Sequence, residues 1–201
     1  MSDPLTVAAA VGAGYGLGTF PTAVLVTRAA TRGRVDIRAV GTGNPGGLNT
    51  AHVLGARWGV FVMIVDALKG AAGGVLGWVI AGPTGAYAGA TAAIAGHIWP
   101  VWTRFRGGKG VATSAGSVLA VFPAFFPIDA GVAAAGALRL RNTERAIRVS
   151  CTVWVVASFA WWAAALPNLW GPDPTIALPL SQTAGAALIL VKFYEARRRD
   201  G

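Results

Sequence analysis

Charge is what this sequence has least of. Asp, Glu, Lys and Arg make up 12% of its 201 residues, against about 25% in an average soluble domain. Hydrophobic residues account for 54% and the mean hydropathy is +0.56, so the solvent that suits most of its surface is lipid. The deficit is concentrated: residues 4–27, 70–103, 110–128, 149–172 and 174–191 carry no charged side chain. A helix needs about 20 apolar residues to cross about 30 Å of hydrocarbon, and several of these runs are long enough. A soluble globular domain is excluded; the chain reads as an all-α, polytopic membrane bundle forming a single domain over residues 1–201. Cysteine is nearly missing too. Cys151 stands alone, so no internal disulfide can form, and in an apolar run a free thiol packs as a small hydrophobe.

Acidic residues are scarce as well, eight against seventeen Lys and Arg, for a net charge of +9. In a soluble protein that balance would point to nucleic acid, but all the basic residues except Lys69 fall into clusters between apolar runs. These are Arg28, Arg32, Arg34, Arg38 and Arg57; Arg104, Arg106 and Lys109; Arg139, Arg141, Arg145 and Arg148; and Lys192 with Arg197 to Arg199. Clusters in short connections are the positive-inside signature and attract anionic headgroups; membrane lipids, not nucleic acid, are the expected partners.

If all four clusters face the cytoplasm, the chain must cross an even number of times between them. Residues 58–103 do so with a turn at Gly82-Pro83, and residues 149–191 with an outer loop at Leu166 to Pro174. Residues 111–138 fit one tilted helix by length, yet Pro123 and Pro127 interrupt them, and proline breaks helix interiors. Two short helices keep the parity, giving about seven segments with the N-terminus outside and the C-terminus cytoplasmic; six is the other count. The first run has no basic residue before Leu5 and is too long for a cleavable leader, so it is read as a retained span. Glycines 12, 14, 16 and 18, then 70, 74 and 77, then 85 and 89, are spaced for close helix approach.

Three polar blocks interrupt the grease. The first, Asp36 to Asn49, contains a literal G-x-G-x-x-G at Gly41, Gly43 and Gly46. A dinucleotide fingerprint needs a strand before it and a helix after it; no βαβ pattern surrounds this one and Pro45 falls inside it. It reads as a loop whose amides turn toward an anion, helped by Thr42, Asn44, Asn49 and Arg38. In the second, Asp66 and Lys69 are close enough to pair on one helix face. Intramembrane charges pair with each other or line a cavity, and both readings stand. The third runs from Gly96 to Thr113. His97 is either a helix-end hydrogen bonder or a catalyst. Arg106, Gly107, Gly108, Lys109 and Gly110 follow, without the Ser or Thr of a Walker loop. They form a flexible cationic loop before a helix N-terminus, suited to clamping phosphate.

In this order the three blocks resemble the bacterial acyl-phosphate-dependent glycerol-3-phosphate acyltransferases, with "GHIWPV" and "FRGGKGVAT" the most specific part. The resemblance implies a seven-helix enzyme of the inner cell membrane with its site on the cytoplasmic side. It implies transfer of a fatty acyl group from acyl phosphate to the 1-hydroxyl of glycerol 3-phosphate, giving lysophosphatidic acid and phosphate for phospholipid synthesis, without metal or coenzyme A and with no cofactor. His97, Lys109 and Thr42 would be catalytic. Arg38, Gly43, Asn44, Asn49, Asp66, Lys69, Arg106, Gly107, Gly108 and Gly110 would bind substrate and phosphate. The chain departs from the family pattern at Thr42 (usually serine), at Gly47-Leu48, at His52 (usually arginine) and at Ala196 (usually asparagine). A divergent member, using another phosphorylated acceptor or serving as a silent lipid-binding or partner protein, is the second reading. A small transporter is a distant third, since no internal repeat is found.

Overall fold

The structure is a computed structural model and describes residues 3–139 and 143–200. Arg141 of the third basic cluster falls outside them, as do the side chains of Arg139 and Arg199. All regular structure among the described residues is helical. Helix α1 (Pro4–Gly18) opens with a proline in its first turn and an Asp3 cap whose carboxylate accepts from the Leu5 N–H at 3.2 Å. Helix α2 (Thr22–Ala30) continues the same apolar stretch. The retained single span expected here is therefore interrupted: Pro21 has no N–H to extend the helical ladder, and the chain breaks between Gly18 and Thr22.

Helix α3 (Gly47–Leu54) leads into α4 (Ala56–Ile98), which is two arms. Ala81 and Gly82 leave helical geometry, Gly82 with φ of 60°, just before Pro83. The turn expected at Gly82-Pro83 is thus present, and the arms lie backbone on backbone. A Cβ on Gly77 would strike the Gly85 carbonyl, and one on Gly85 the Gly77 carbonyl. Helix α1 meets the second arm in the same way, Gly14 against the Gly89 carbonyl and Gly18 against that of Ala93. Gly12 and Gly16, the other glycine stripe of α1, face open space; two residues along a helix is about 200° of rotation, so both stripes cannot meet one neighbour.

After a short 3₁₀ turn at Val101–Thr103 come α5 (Val111–Val121) and α6 (Phe126–Arg139). They are the two short helices read from the prolines, with Pro123 between them and Pro127 in the first turn of the second. Helix α5 closes on the first arm of α4, where Gly70 meets the Thr113 carbonyl and Gly116 that of Ala67. Helices α7 (Thr143–Ala163) and α8 (Ala177–Asp200) complete the bundle. The main core lies where the second arm, α5, α7 and α8 converge: Tyr87, Ile94, Ile98, Val118, Phe122, Cys151, Trp154, Ile189 and Phe193 are all buried. Large apolar side chains such as Leu68, Val79, Val156 and Leu180 point outward, more than half exposed. Small residues inside and large apolar ones outside is the arrangement of a bundle solvated by lipid.

Among the described residues four stretches are long and apolar enough to cross a membrane: Pro4–Ala30, Ala56–Thr103 with its fold-back, Glu144–Ala163 and Ala177–Arg198. Val111–Val121 is apolar but shorter. At the start of α7, Glu144 lies 3.8 Å from Arg148 and 3.9 Å from Arg197, which sets the start of α7 beside the end of α8.

Candidate active site

The loop between α2 and α3 is built around Asn49. Its side-chain amide donates to the carbonyls of Ile37 at 3.1 Å and Val40 at 3.0 Å, while its oxygen accepts from the Thr42 N–H at 2.9 Å. Asn49 is buried and spends its whole side chain on the loop's own backbone. Gly41 has φ of 59° and no room for a Cβ, which would strike the Asn49 oxygen. At the loop's start Arg38 grips Asp36 with two nitrogens, Nε at 2.9 Å and Nη2 at 2.7 Å. These bonds, with a third from the Arg38 backbone, hold the Asp36 carboxyl down at about 2.

The glycine loop is built around His97, in the last turn of α4. The N–H of Gly107 donates to the Ile98 carbonyl at 3.1 Å, and that of Gly108 to the His97 carbonyl at 3.2 Å. Both amides, expected to be available to phosphate, thus close the otherwise unpaired C-terminal carbonyls of α4. A Cβ on Gly107 would strike the His97 carbonyl, and one on Gly108 the imidazole Nε2. Gly110 takes φ of 83° at the cap of α5. From Lys109 into the first turn of α5, the N–H groups have no acceptor among the described residues. The 3₁₀ turn is tied to α1: Tyr15 donates to the Trp99 carbonyl at 2.8 Å, and the Trp102 indole to the Thr19 hydroxyl at 2.9 Å.

Beneath the loop lies a buried polar cluster. Asp66 and Lys69 pair at 2.9 Å, as their spacing predicted. Asp66 Oδ1 also accepts from Thr22 Oγ1 at 2.9 Å, and Lys69 donates to the Phe20 carbonyl at 3.0 Å. The break between α1 and α2 delivers both partners, Phe20 at the interruption and Thr22 at the start of α2. His97 Nδ1 stands 3.6 Å from the same Asp66 oxygen, beyond hydrogen-bond length.

Two neighbouring cavities share Pro45, Thr103, Arg106 and Gly107 in their walls. The smaller, about 20 Å³, touches Asp66, Lys69, His97 and Gly108. The larger, about 840 Å³, brings together Arg38, Thr42, Gly43, Asn44 and Lys109 with the end of α8. Asn49 and Gly110 line neither, and His52 is exposed on α3, also outside both. Sequence reasoning did not single out Thr22, nor the pair Lys192 and Glu195, which stand 3.4 Å apart in the wall of the larger cavity. A lysine at the apolar edge of the fourth basic cluster, followed three residues later by glutamate, was the available signal for that pair. Lys109 Nζ lies 4.5 Å above the Phe193 ring, so the glycine loop and α8 meet. Ala196 is also in this wall.

Five cationic side chains (Arg38, Arg104, Arg106, Lys109 and Lys192) face this cavity against two carboxylates, Asp36 and Glu195. Such a field selects multiply charged anions. Among the described residues no three His, Cys, Asp or Glu side chains come together to hold a metal ion.

A family model described as glycerol-3-phosphate acyltransferase matches residues 8–199. The chain belongs to that family. A glycerol-3-phosphate acyltransferase of Rubrobacter xylanophilus is 43% identical over 77% of this chain and 75% of its own length. Glycerol-3-phosphate acyltransferase 1 of Moorella thermoacetica is 34% identical, over 82% of this chain and 83% of its own. The crystal structure of PlsY, an integral membrane glycerol 3-phosphate acyltransferase in its glycerol 3-phosphate form, superimposes with a TM-score of 0.76 at 28% identity. It covers 96% of this chain and 90% of PlsY. The lysophosphatidic acid form gives 0.73 over the same shares. Like PlsY, the chain is a multi-pass membrane protein by its apolar helices.

Proposed function

We propose that this protein transfers a fatty acyl group from acyl phosphate to the 1-hydroxyl of glycerol 3-phosphate, releasing lysophosphatidic acid and phosphate. The observation that carries the reading is the cationic cavity, set at the end of an apolar bundle in a member of this family. Both substrates are phosphate monoanions or dianions, and the acyl donor also needs a hydrophobic tail path; this one site supplies charge and lipid access together.

In the reaction the acceptor hydroxyl oxygen attacks the acyl carbonyl carbon. The bond from that carbon to the phosphate oxygen breaks, and phosphate departs with the electron pair. Acyl phosphate is already activated, so no protein nucleophile is required. Lys109, Arg106 and the open amides at the start of α5 hold the leaving phosphate, where charge grows in the transition state. Arg38, with Thr42, Gly43 and Asn44, holds the acceptor's phosphate, and Lys192 adds charge from α8. His97 Nε2, beside the small cavity, takes the hydroxyl proton. Asn49 acts by fixing the loop, and Gly107 and Gly108 by allowing it to sit on His97.

The proposed topology has seven crossings: α1 with α2, the two arms of α4, then α5, α6, α7 and α8. The N-terminus is outside and the site faces the cytoplasm of the inner membrane. Support comes from charge: Arg38 of the first basic cluster, the whole second cluster and Lys192 of the fourth line one cavity, and the Glu144–Arg197 contact brings the start of α7, beside the third cluster, to the end of α8. That is the positive-inside arrangement.

The direct test gives purified protein in lipid radiolabelled glycerol 3-phosphate and either palmitoyl phosphate or palmitoyl-coenzyme A. Labelled lysophosphatidic acid is expected from the phosphate donor alone. Product from the coenzyme A donor would contradict the donor assignment, and product only with another phosphorylated acceptor would redirect the acceptor.

A further inference from the structure

Asp66 and Lys69 do not line the large cavity, so their ion pair asks for a purpose other than meeting substrate phosphate there. We propose that Asp66 is a positioning residue for His97: it holds the imidazole in the tautomer with the proton on Nδ1 and the lone pair on Nε2, turned toward the glycine loop. The role of Nε2 as proton acceptor rests on the acyltransferase reading above; the tautomer does not.

Three observations lead there. Asp66 Oδ1 accepts a hydrogen bond from the Thr22 hydroxyl at 2.9 Å and is ion-paired with the Lys69 ammonium at 2.9 Å. An oxygen that accepts from a hydroxyl and pairs with a buried cation belongs to an ionised carboxylate with no proton to give. His97 Nδ1 faces that oxygen at 3.6 Å and is otherwise buried without a hydrogen-bond partner. A nitrogen lone pair facing a carboxylate is repelled, whereas an N–H is attracted. A contraction of roughly 0.5 Å brings the pair into ordinary bonding range.

The other end of the ring is where chemistry has room. A Cβ on Gly108 would strike Nε2, and the cavity of about 20 Å³ beside it is walled by His97, Pro45, Gly107 and Gly108. That is space for about one water-sized group, hence for one hydroxyl. With Nδ1 carrying the proton, the neutral ring must present an acceptor at Nε2. The broken span thus has a use: the interruption between α1 and α2 supplies Thr22 to Asp66 and the Phe20 carbonyl to Lys69, fixing a carboxylate behind a histidine. The charged groups bearing on His97 are Asp66 and Lys69 on the first arm of α4 and Lys192 on α8.

The chain has two histidines, so nitrogen-15 labelling of histidine alone gives two imidazole signals, and His52→Asn identifies the exposed one. At pH 8 in lipid, the His97 signals are expected to show protonated Nδ1 and unprotonated Nε2. In Asp66→Asn, a carboxamide of the same size can turn its NH₂ to Nδ1. The population should move to the Nε2–H tautomer, with kcat reduced at least tenfold, KM within twofold, and partial recovery in Asp66→Glu. Wild-type His97 in the Nε2–H form, or a tautomer unchanged by Asp66→Asn, would overturn the proposal. If that variant fails to fold, the wild-type spectrum alone decides. Because the spectrum needs no turnover, a failed acyltransferase assay would count against the proposed reaction and leave the tautomer standing.

Discussion

Lys109 is half-buried in the wall of the cationic cavity, with its ammonium above the Phe193 ring. Replacing Lys109 by alanine should cost about 10²–10³ in kcat, the usual effect of removing one charge-stabilising donor from a preorganised site. Thermal stability should fall by no more than about 1–2 kcal/mol, the worth of one cation–π contact between a half-buried lysine and a buried ring. Gly108→Ala is a sharper test of local geometry. The new methyl would collide with His97 Nε2, so transfer should fall at least tenfold even where Lys109 is intact, as steady-state kinetics would show. Wild-type activity in that variant would mean that Nε2 lies elsewhere. At this scale the types of residue were legible and their tasks only partly so. Glycines on either side of a lysine read as amides for phosphate, but two of the three are there because His97 leaves no space for a side chain. Spacing along a chain carries no record of which carbonyl a glycine will approach.

The loop from Asp36 to Asn49 behaves as one element because Asn49 ties Ile37, Val40 and Thr42 together. Asn49→Ala leaves two carbonyls and one amide without their partner, a loss of about 2–3 kcal/mol, read as a lower melting temperature together with a raised KM for glycerol 3-phosphate. Arg38 and Asp36 anchor the loop's first turn. The carboxyl is depressed from 3.8 to about 2 by the Arg38 bonds. Its contribution is therefore complete above pH 3.8 and lost only as pH falls through about 2. A carboxyl-carbon NMR titration of Asp36 should show its midpoint near 2; one at or above 3.8 would mean that the grip is absent in solution. Among the helices, the fold-back at Gly82-Pro83 and the division at Pro123 were plain from the sequence, because proline and glycine act locally. The break at Pro21 was hidden inside an uncharged run long enough to pass for one helix. Its value to the site, a hydroxyl for Asp66 and a carbonyl for Lys69, depends on a partner more than forty residues away.

Over the whole molecule, charge distribution carried most of what could be read: a membrane bundle with its polar machinery at one end. What it did not reveal was the contribution of α8, because Lys192 and Glu195 sit in an apolar helix and only the fold brings them to Arg38 and Lys109. Topology is open to measurement with single cysteines on a Cys151→Ala background. Positions 3 and 169 should react with an impermeant maleimide from outside intact cells, and positions 34, 106 and 197 only after permeabilisation. The same end of the bundle must also do the chemistry, and phosphate release from palmitoyl phosphate in lipid tests that most directly. The protein should release phosphate only when glycerol 3-phosphate is present, and Lys109→Ala should lower the rate by about 10²-fold or more. Release that ignores the acceptor, or a folded Lys109→Ala enzyme as fast as the wild type, would contradict the account.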